Sequence, residues 1–327
     1  MILAGDVGGT KCNLALFAEK SGRLEPVLER RFASKDYAQF DLIVSDFARQ
    51  AASHCSTDRV IAAGFGVAGP VTHHRVKATN LPWTVDGAVI ADKLGVKHVV
   101  LMNDLAAAAY SLDHLSEQDF CVLNKGEAEP NATKGLIAAG TGLGHAILFW
   151  DGQGYQVAPS EGGHADFAPH DEKQAELLRF LLRRTTPVSV ESVLSGRGFR
   201  AVHEFLDLSV RHPSFDDPDS DPAPEITRHA LEKSCPVCVA AVDLWISIYG
   251  SEAGNFALRM LAIGGVYIAG GIAVKILPKM KDGSFWRAFC QKSKLQGLLE
   301  RIPLSIVLNE KAPLIGAAHQ ALKAARG

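Results

Sequence analysis

Gly5-Asp6-Val7-Gly8-Gly9-Thr10-Lys11 lies almost at the start of the chain and decides how the remaining residues are read. Only the apolar Met1 to Ala4 precede it, and Leu14-Ala15-Leu16-Phe17 resumes an apolar run behind it. Two apolar stretches around a glycine turn read as a β-hairpin, with one carboxylate and one hydroxyl near its tip. Gly8 and Gly9 carry no side chains, so their backbone N–H groups can close on an anion such as a phosphate. A carboxylate beside that anion calls for a cation between them, and Mg²⁺ on a nucleotide fits. An ordinary tight turn has the same composition, so the other motifs of the chain must decide between the two.

The second half repeats the pattern. Leu136-Ile137-Ala138-Ala139 leads into Gly140-Thr141-Gly142-Leu143-Gly144, and apolar Ala146 to Trp150 comes next. Two such hairpins facing each other would grip a polyphosphate from both sides. A third glycine turn, Gly270-Gly271, follows the strand-like Val266 to Ala269 and precedes a helix expected over 272–280. By contrast, Gly64-Phe65-Gly66-Val67-Ala68-Gly69 matches the dinucleotide fingerprint but opens no helix. Pro70 and a polar Thr72-His73-His74-Arg75 come after it, so the dinucleotide reading is rejected.

Between these turns stand the candidate acid–base and ligand-binding groups. Strand-like Val99 to Met102 runs into Asn103-Asp104 and an alanine-rich helix through Tyr110. Either residue could simply cap that helix. A carboxylate at the end of a strand and the start of a helix also sits where open α/β sheets build clefts, and the helix dipole should help keep it ionised. Asp86 reads as the cap of a helix beginning near Gly87. The densest polar cluster is Ser160-Glu161-Gly162-Gly163-His164-Ala165-Asp166. Glu191 follows a Pro187-containing loop near the expected start of a short helix. Carboxylates suit a polyhydroxylated ligand, because sugar hydroxyls donate to them. His164 by itself would be an ordinary satisfied histidine, and its company changes that judgement.

Elsewhere, helical spacing of apolar residues spans 36–53, a strand covers 60–67, and Leu314 to Ala325 forms a small-residue helix expected to pack back onto the first domain. The stretch 211–225, rich in Asp and Pro, reads as an exposed loop or insertion. At 327 residues the chain should hold about two domains. Its net charge of −2 gives no footprint for nucleic acid or an anionic membrane. No apolar run is read as long enough to span a bilayer, and no basic segment precedes an apolar one at the N-terminus, so a cytoplasmic protein is expected. Six cysteines are too few for a disulfide scaffold. Cys235-Pro-Val-Cys238 has metal or redox spacing, but no second such pair or nearby His supplies further ligands. It reads as two plain thiols in a helix-like context over 230–241.

Taken together, the motifs resemble the bacterial glucokinase family, within the actin/hexokinase/Hsp70-like ATPase superfamily. The likeness covers nearly the whole length. It is carried by Gly5 to Thr10, Thr79-Asn80-Leu81-Pro82-Trp83, Asn103-Asp104, Gly140 to Gly144, Ser160 to His164, Leu194-Ser195-Gly196 and Ala269-Gly270-Gly271. The resemblance implies an α/β chain of two actin-like (ribonuclease H-like) domains, each on a mixed β-sheet, with the active-site cleft between them. Residues 1–110 with 312–327 would form the smaller domain and 111–311 the larger. Asp104 would be the base that takes the proton from the 6-hydroxyl of D-glucose. Asn80, Asn103, Glu161, His164 and Glu191 would bind sugar hydroxyls. The turns Gly5, Asp6, Val7, Gly8, Gly9, Thr10 and Gly140, Thr141, Gly142 would hold the phosphates of ATP, with Asp6 near Mg²⁺ and Gly270 and Gly271 bordering the adenosine. A homodimer is implied as well. The related repressor/kinase family carries a cysteine-rich zinc motif after its sugar-binding histidine; here Ala165-Asp166-Phe167-Ala168 follows His164. Two alternatives share the fold: a kinase for another hexose, such as mannose or an N-acetylated amino sugar, and a catalytically silent sugar sensor.

Overall fold

A computed structural model describes residues 1–52, 60–78, 81–217 and 220–327. The chain divides into two compact units, Met1–Glu117 with Lys311–Gly327, and Gln118–Glu310.

In the first unit, β1 (Ile2–Val7), β2 (Lys11–Lys20) and β3 (Arg23–Ala33) form an antiparallel meander. After α1 (Phe40–Ala52) come β4 (Ala62–Val67) and three short strands, β5 (Val71–Thr72), β6 (Arg75–Lys77) and β7 (Thr84–Asp86), which make a small sheet of their own. Then come α2 (Gly87–Leu94), β8 (His98–Asn103) and α3 (Asp104–Ser111). The main sheet runs β3-β2-β1-β4-β8, with β4 parallel to both β1 and β8. The glycine-turn hairpin therefore supplies the central strand. Asp86 caps α2 as expected, its carboxylate accepting from Ala88 N–H at 2.9 Å. Helix α1 begins four residues later than periodicity suggested, because Ser34–Asp36 close a lone 3₁₀ turn and Tyr37 is extended.

The second unit contains β9 (Phe120–Asn124), β10 (Lys134–Ala139), β11 (Leu143–Trp150) and β12 (Tyr155–Ser160). Helices α4 (Glu172–Leu182), α5 (Gly196–Leu206), α6 (Ala223–Leu231) and α7 (Pro236–Met260) succeed them. Next come β13 (Gly265–Ala269), α8 (Gly271–Lys275), α9 (Leu277–Met280), α10 (Ser284–Cys290), α11 (Gln296–Leu299) and β14 (Leu304–Val307). Its sheet runs β12-β11-β10-β13-β14-β9. The meander β10-β11-β12 is antiparallel and β10, β13 and β14 are parallel. That is the first sheet's pattern again, with β9 added antiparallel on the edge. The repeated hairpin in the sequence is thus a repeat of topology. The single helix expected over 272–280 is two, α8 and α9, because Pro278 has no N–H to continue the ladder.

The chain ends in α12 (Ala312–Arg326), which packs on β1, β4 and α3 of the first unit. Gly64, in the rejected fingerprint, faces it: a Cβ there would fall inside van der Waals contact of the Ala317 carbonyl oxygen and 3.1 Å from Ala321 Cβ. Gly66 does the same for α3, where a Cβ would lie 2.9 Å from Ala107 Cβ and 3.4 Å from Asp104 Cα. Gly64 and Gly66 of the fingerprint serve helix-on-sheet contact.

Two further sequence readings need correction in the second unit. Helix α7 is long and apolar enough to cross a membrane by length and composition, against the expectation that no run reaches that length. Most of it is buried, with Trp245, Tyr249 and Phe256 in the core, so it serves as the unit's central helix. The stretch 211–225 is also less exposed than its composition suggests, since His212, Phe215 and Ala223 are buried.

Candidate active site

The first group of site residues lies at the ends of β1, β4 and β8. Asp6 is the penultimate residue of β1, and its direct partner across the hairpin is Asn13. Asn13 Nδ2 donates to Asp6 Oδ2 at 3.4 Å. Burial pushes the Asp6 carboxyl up to about 6, and the nearby Asp104 charge adds to the shift, while Asn13 and Lys11 oppose it. Gly8 N–H donates to Lys11 C=O at 3.0 Å and Ser34 Oγ to Gly8 C=O at 2.8 Å. The Gly8 N–H is therefore used inside the turn, contrary to the expectation that it is open to an anion.

Asn103 and Asp104 divide the two roles that sequence left open. Asn103 is the N-cap of α3; its Oδ1 accepts from Leu105 N–H at 3.0 Å and Ala106 N–H at 3.3 Å. Its Nδ2 donates to Gly69 C=O at 3.4 Å. Asp104, one residue on, is released from capping, and its Oδ1 accepts from Leu105 N–H at 2.9 Å. Burial raises its pKa; backbone N–H bonds and Asn103 pull the other way. The helix N-terminus was expected to help keep the group ionised; desolvation is the larger effect here. Asn80, and Thr79 beside it, lie outside the described residues. Trp83 of the same motif is buried, and its Nε1 donates to Tyr37 C=O at 3.2 Å.

The second unit holds the remaining groups. At the turn after β10, Gly140 N–H donates to Gly142 C=O at 2.8 Å. Gly196 N–H donates to Gly140 C=O at 2.8 Å, which ties the turn to the start of α5, where Ser195 is the cap. Glu191 sits in a turn ahead of α5 rather than at a helix start, and its Oε2 accepts from Leu143 N–H at 2.8 Å. Gly142 has no side chain to block this carboxylate: a Cβ there would overlap Glu191 Oε2. The backbone joins Glu191 to the polar cluster too, through Glu191 N–H to Gly163 C=O at 2.9 Å. Glu161 and His164 are exposed, with His164 Nε2 4.0 Å from Glu161 Oε2. Gly270 holds φ +92°, and a Cβ there would strike the Ala139 carbonyl oxygen, so glycine is required for conformation and space. Around Gly140 and Gly271, apart from the adjoining backbone, no atom of the described residues lies within 4 Å of a Cβ position. Packing does not demand glycine at those two.

The sequence matches the family described as Glucokinase over residues 3–324. The chain belongs to the glucokinase family. A glucokinase of Nostoc punctiforme is 39% identical, with 97% of this chain and 98% of that protein covered. Among solved structures, a glucokinase from an Antarctic psychrotroph superposes with a TM-score of 0.87 at 28% identity, covering 98% of each chain. A Balamuthia mandrillaris glucokinase in complex with glucose has a TM-score of 0.79 at 22% identity, covering 100% of this chain and 93% of that one; at this identity the likeness concerns the fold. The activity class of this family member is that of a sugar kinase, on an actin-like α/β fold.

Two connections in this glucokinase-family chain escaped sequence reasoning. Asn13 holds Asp6, which was legible once the hairpin register was drawn. Glu191 reaches Leu143, 48 residues away, and no local pattern signals that.

Proposed function

We propose that this chain transfers the γ-phosphoryl group of Mg-ATP to the 6-hydroxyl of D-glucose, with Asp104 as the proton acceptor. The observation that carries the reading is Asp104 itself: a partly buried carboxylate with a raised pKa, standing beside the helix cap instead of serving as it. A base is most useful when its pKa approaches the working pH. Phosphoryl transfer needs mainly positioning and charge stabilisation. Asn80, Asn103, Glu161, His164 and Glu191 orient the sugar. A carboxylate accepts more than one hydrogen bond, so Glu191 serves the Leu143 N–H and a hydroxyl together. The turns Gly5–Thr10 and Gly140–Gly142 hold phosphates, and Gly270 and Gly271 border the adenosine. The open Cβ positions at Gly140 and Gly271 support that assignment.

Asp6 fits a magnesium ion. Its carboxylate is desolvated and repelled by Asp104, which is the chemistry of an oxygen donor set for a hard cation. Bound there, the ion would neutralise phosphate charge, with Asp6 as its holder; Asn13 in turn holds Asp6. The family likeness further supports a cytoplasmic homodimer.

The test is ADP release from Mg-ATP with D-glucose, mannose, fructose, N-acetylglucosamine or no sugar. Turnover on glucose at least ~10-fold above the other sugars is expected. A different preferred sugar would reassign the pocket around Glu161 and His164, and silence with every sugar would favour the sensor.

Asp6→Asn separates stability from function. A carboxyl whose pKa is raised from 3.8 to about 6 by folding contributes stability below pH 3.8 and loses it as pH rises through about 6. At pH 8 the ionised side chain therefore costs roughly 2–3 kcal/mol. The Asn variant should be more stable than the parent at pH 8, by a margin that vanishes near pH 4, while Mg-ATP turnover falls. Denaturant titrations at both pH values check it; an equal margin at each would refute the assigned burial.

A further inference from the structure

We propose that His203, His212, Cys235 and Cys238 bind one Zn²⁺ ion in a closed structural site within the second unit. Their ligand atoms all lie within 4.8 Å of one another. His203 comes from α5, His212 from the segment after it, Cys235 from the N-cap of α7 and Cys238 from that helix's first turn. The cysteine pair was read from the sequence as two plain thiols, because neither a second such pair nor a nearby histidine was seen to supply further ligands and the context read as helical. The fold supplies two. The supposed helical context is broken as well, since α6 ends at Leu231 and α7 begins at Pro236.

His203 is the independent sign of a ligand. Its side chain is fully buried, and neither ring nitrogen has a hydrogen-bond partner among the described residues. A buried imidazole left unpaired is costly, and a metal bond to one nitrogen relieves it. Cys238 Sγ already lies 3.1 Å from His212 Nε2, and the His203 and His212 rings meet edge to face at 5.2 Å. Phe215 packs edge-on against both rings, at 5.1 and 5.5 Å, and closes the cluster with apolar surface.

The donor chemistry selects the ion. Two sulfurs and two imidazoles in a compact set are the ligands of tetrahedral zinc. Bonds of about 2.0–2.3 Å place such ligand atoms roughly 3.3–3.8 Å apart, so this set needs only a slight contraction. Binding releases two thiol protons to solvent. Two thiolates, two neutral imidazoles and Zn²⁺ then sum to zero charge, which removes the penalty of burying a net charge. Glu225 and His229 also converge on His212, but those two groups are already engaged. Glu225 accepts from Ser214 N–H at 2.9 Å, and both His229 ring nitrogens have partners, Arg228 at 2.9 Å and Ser234 at 2.7 Å. Four protein ligands leave no open coordination position, so the role is structural: the ion ties an Asp- and Pro-rich segment to α5 and α7.

The test is metal analysis of the full chain, made without a polyhistidine tag and purified without chelator. About one zinc per chain is expected, and Cys235→Ser and His203→Gln should each weaken retention at least ~10-fold. Replacement by Co²⁺ should give the intense visible bands and thiolate charge transfer of a tetrahedral sulfur-ligated ion. That spectrum comes from the unsubstituted chain, so the proposal stays testable if His203→Gln does not fold. Under ~0.1 zinc per chain, both as purified and after the reduced protein is equilibrated with zinc and desalted, overturns it. An intact mass showing Cys235 and Cys238 joined to each other overturns it as well.

Discussion

Asp104→Ala is expected to lower kcat by at least ~10² while sugar binding and folding largely survive. The fold should tolerate the change because Asn103, not Asp104, makes the two capping bonds of α3. What is lost structurally is one hydrogen bond from Leu105 N–H, worth about 1 kcal/mol, and that is offset by removing a desolvated carboxylate. Asp104→Asn keeps the shape and an acceptor for Leu105 and should lose turnover to the same extent, since an amide cannot take a proton. Because burial raises the Asp104 pKa, kcat/KM of the parent should fall as pH drops into the acid range, and neither variant should retain that limb. Steady-state kinetics with isothermal titration of glucose separate the two effects. Near-normal turnover in Asp104→Asn would refute the assignment.

The largest stability effect should come from Gly64→Ala. The added methyl overlaps the Ala317 carbonyl oxygen, a backbone atom that no rotamer change can move, and also crowds Ala321 Cβ at 3.1 Å. Helix α12 must then shift away from β4, loosening its contacts with Ile2, Ala4 and Ala107 in the same cluster. Overpacking of this kind costs about 3 kcal/mol. For a unit of this size that lowers the melting temperature by roughly 6–12 °C, measurable by calorimetry. A change under about 2 °C would mean that α12 yields more readily than packed interiors do.

These two positions show where sequence reading succeeds and where it stops. Asp104 was legible because strand, turn and helix signals are local: the apolar run from Val99, the capping residue and the alanine-rich helix stand next to one another. Gly64 was visible only as part of a misleading pattern. Rejecting the fingerprint was possible from Pro70, but the reason for the glycine lies in Ala317, 253 residues away across the fold.

The sequence by itself determined the two glycine hairpins, the cap at Asp86, the junction at Asn103-Asp104 and the repeated half, because turn chemistry and strand period act between neighbours along the chain. Tertiary structure alone decided which partners polar groups found across distant segments. It brought Glu191 to Leu143, His203 and His212 to the cysteine pair, and Asp6 close enough to Asp104 to repel it. Those outcomes depend on burial and on contacts between distant segments. Desolvation, which sets both carboxylate pKa values, does not exist until the chain has folded.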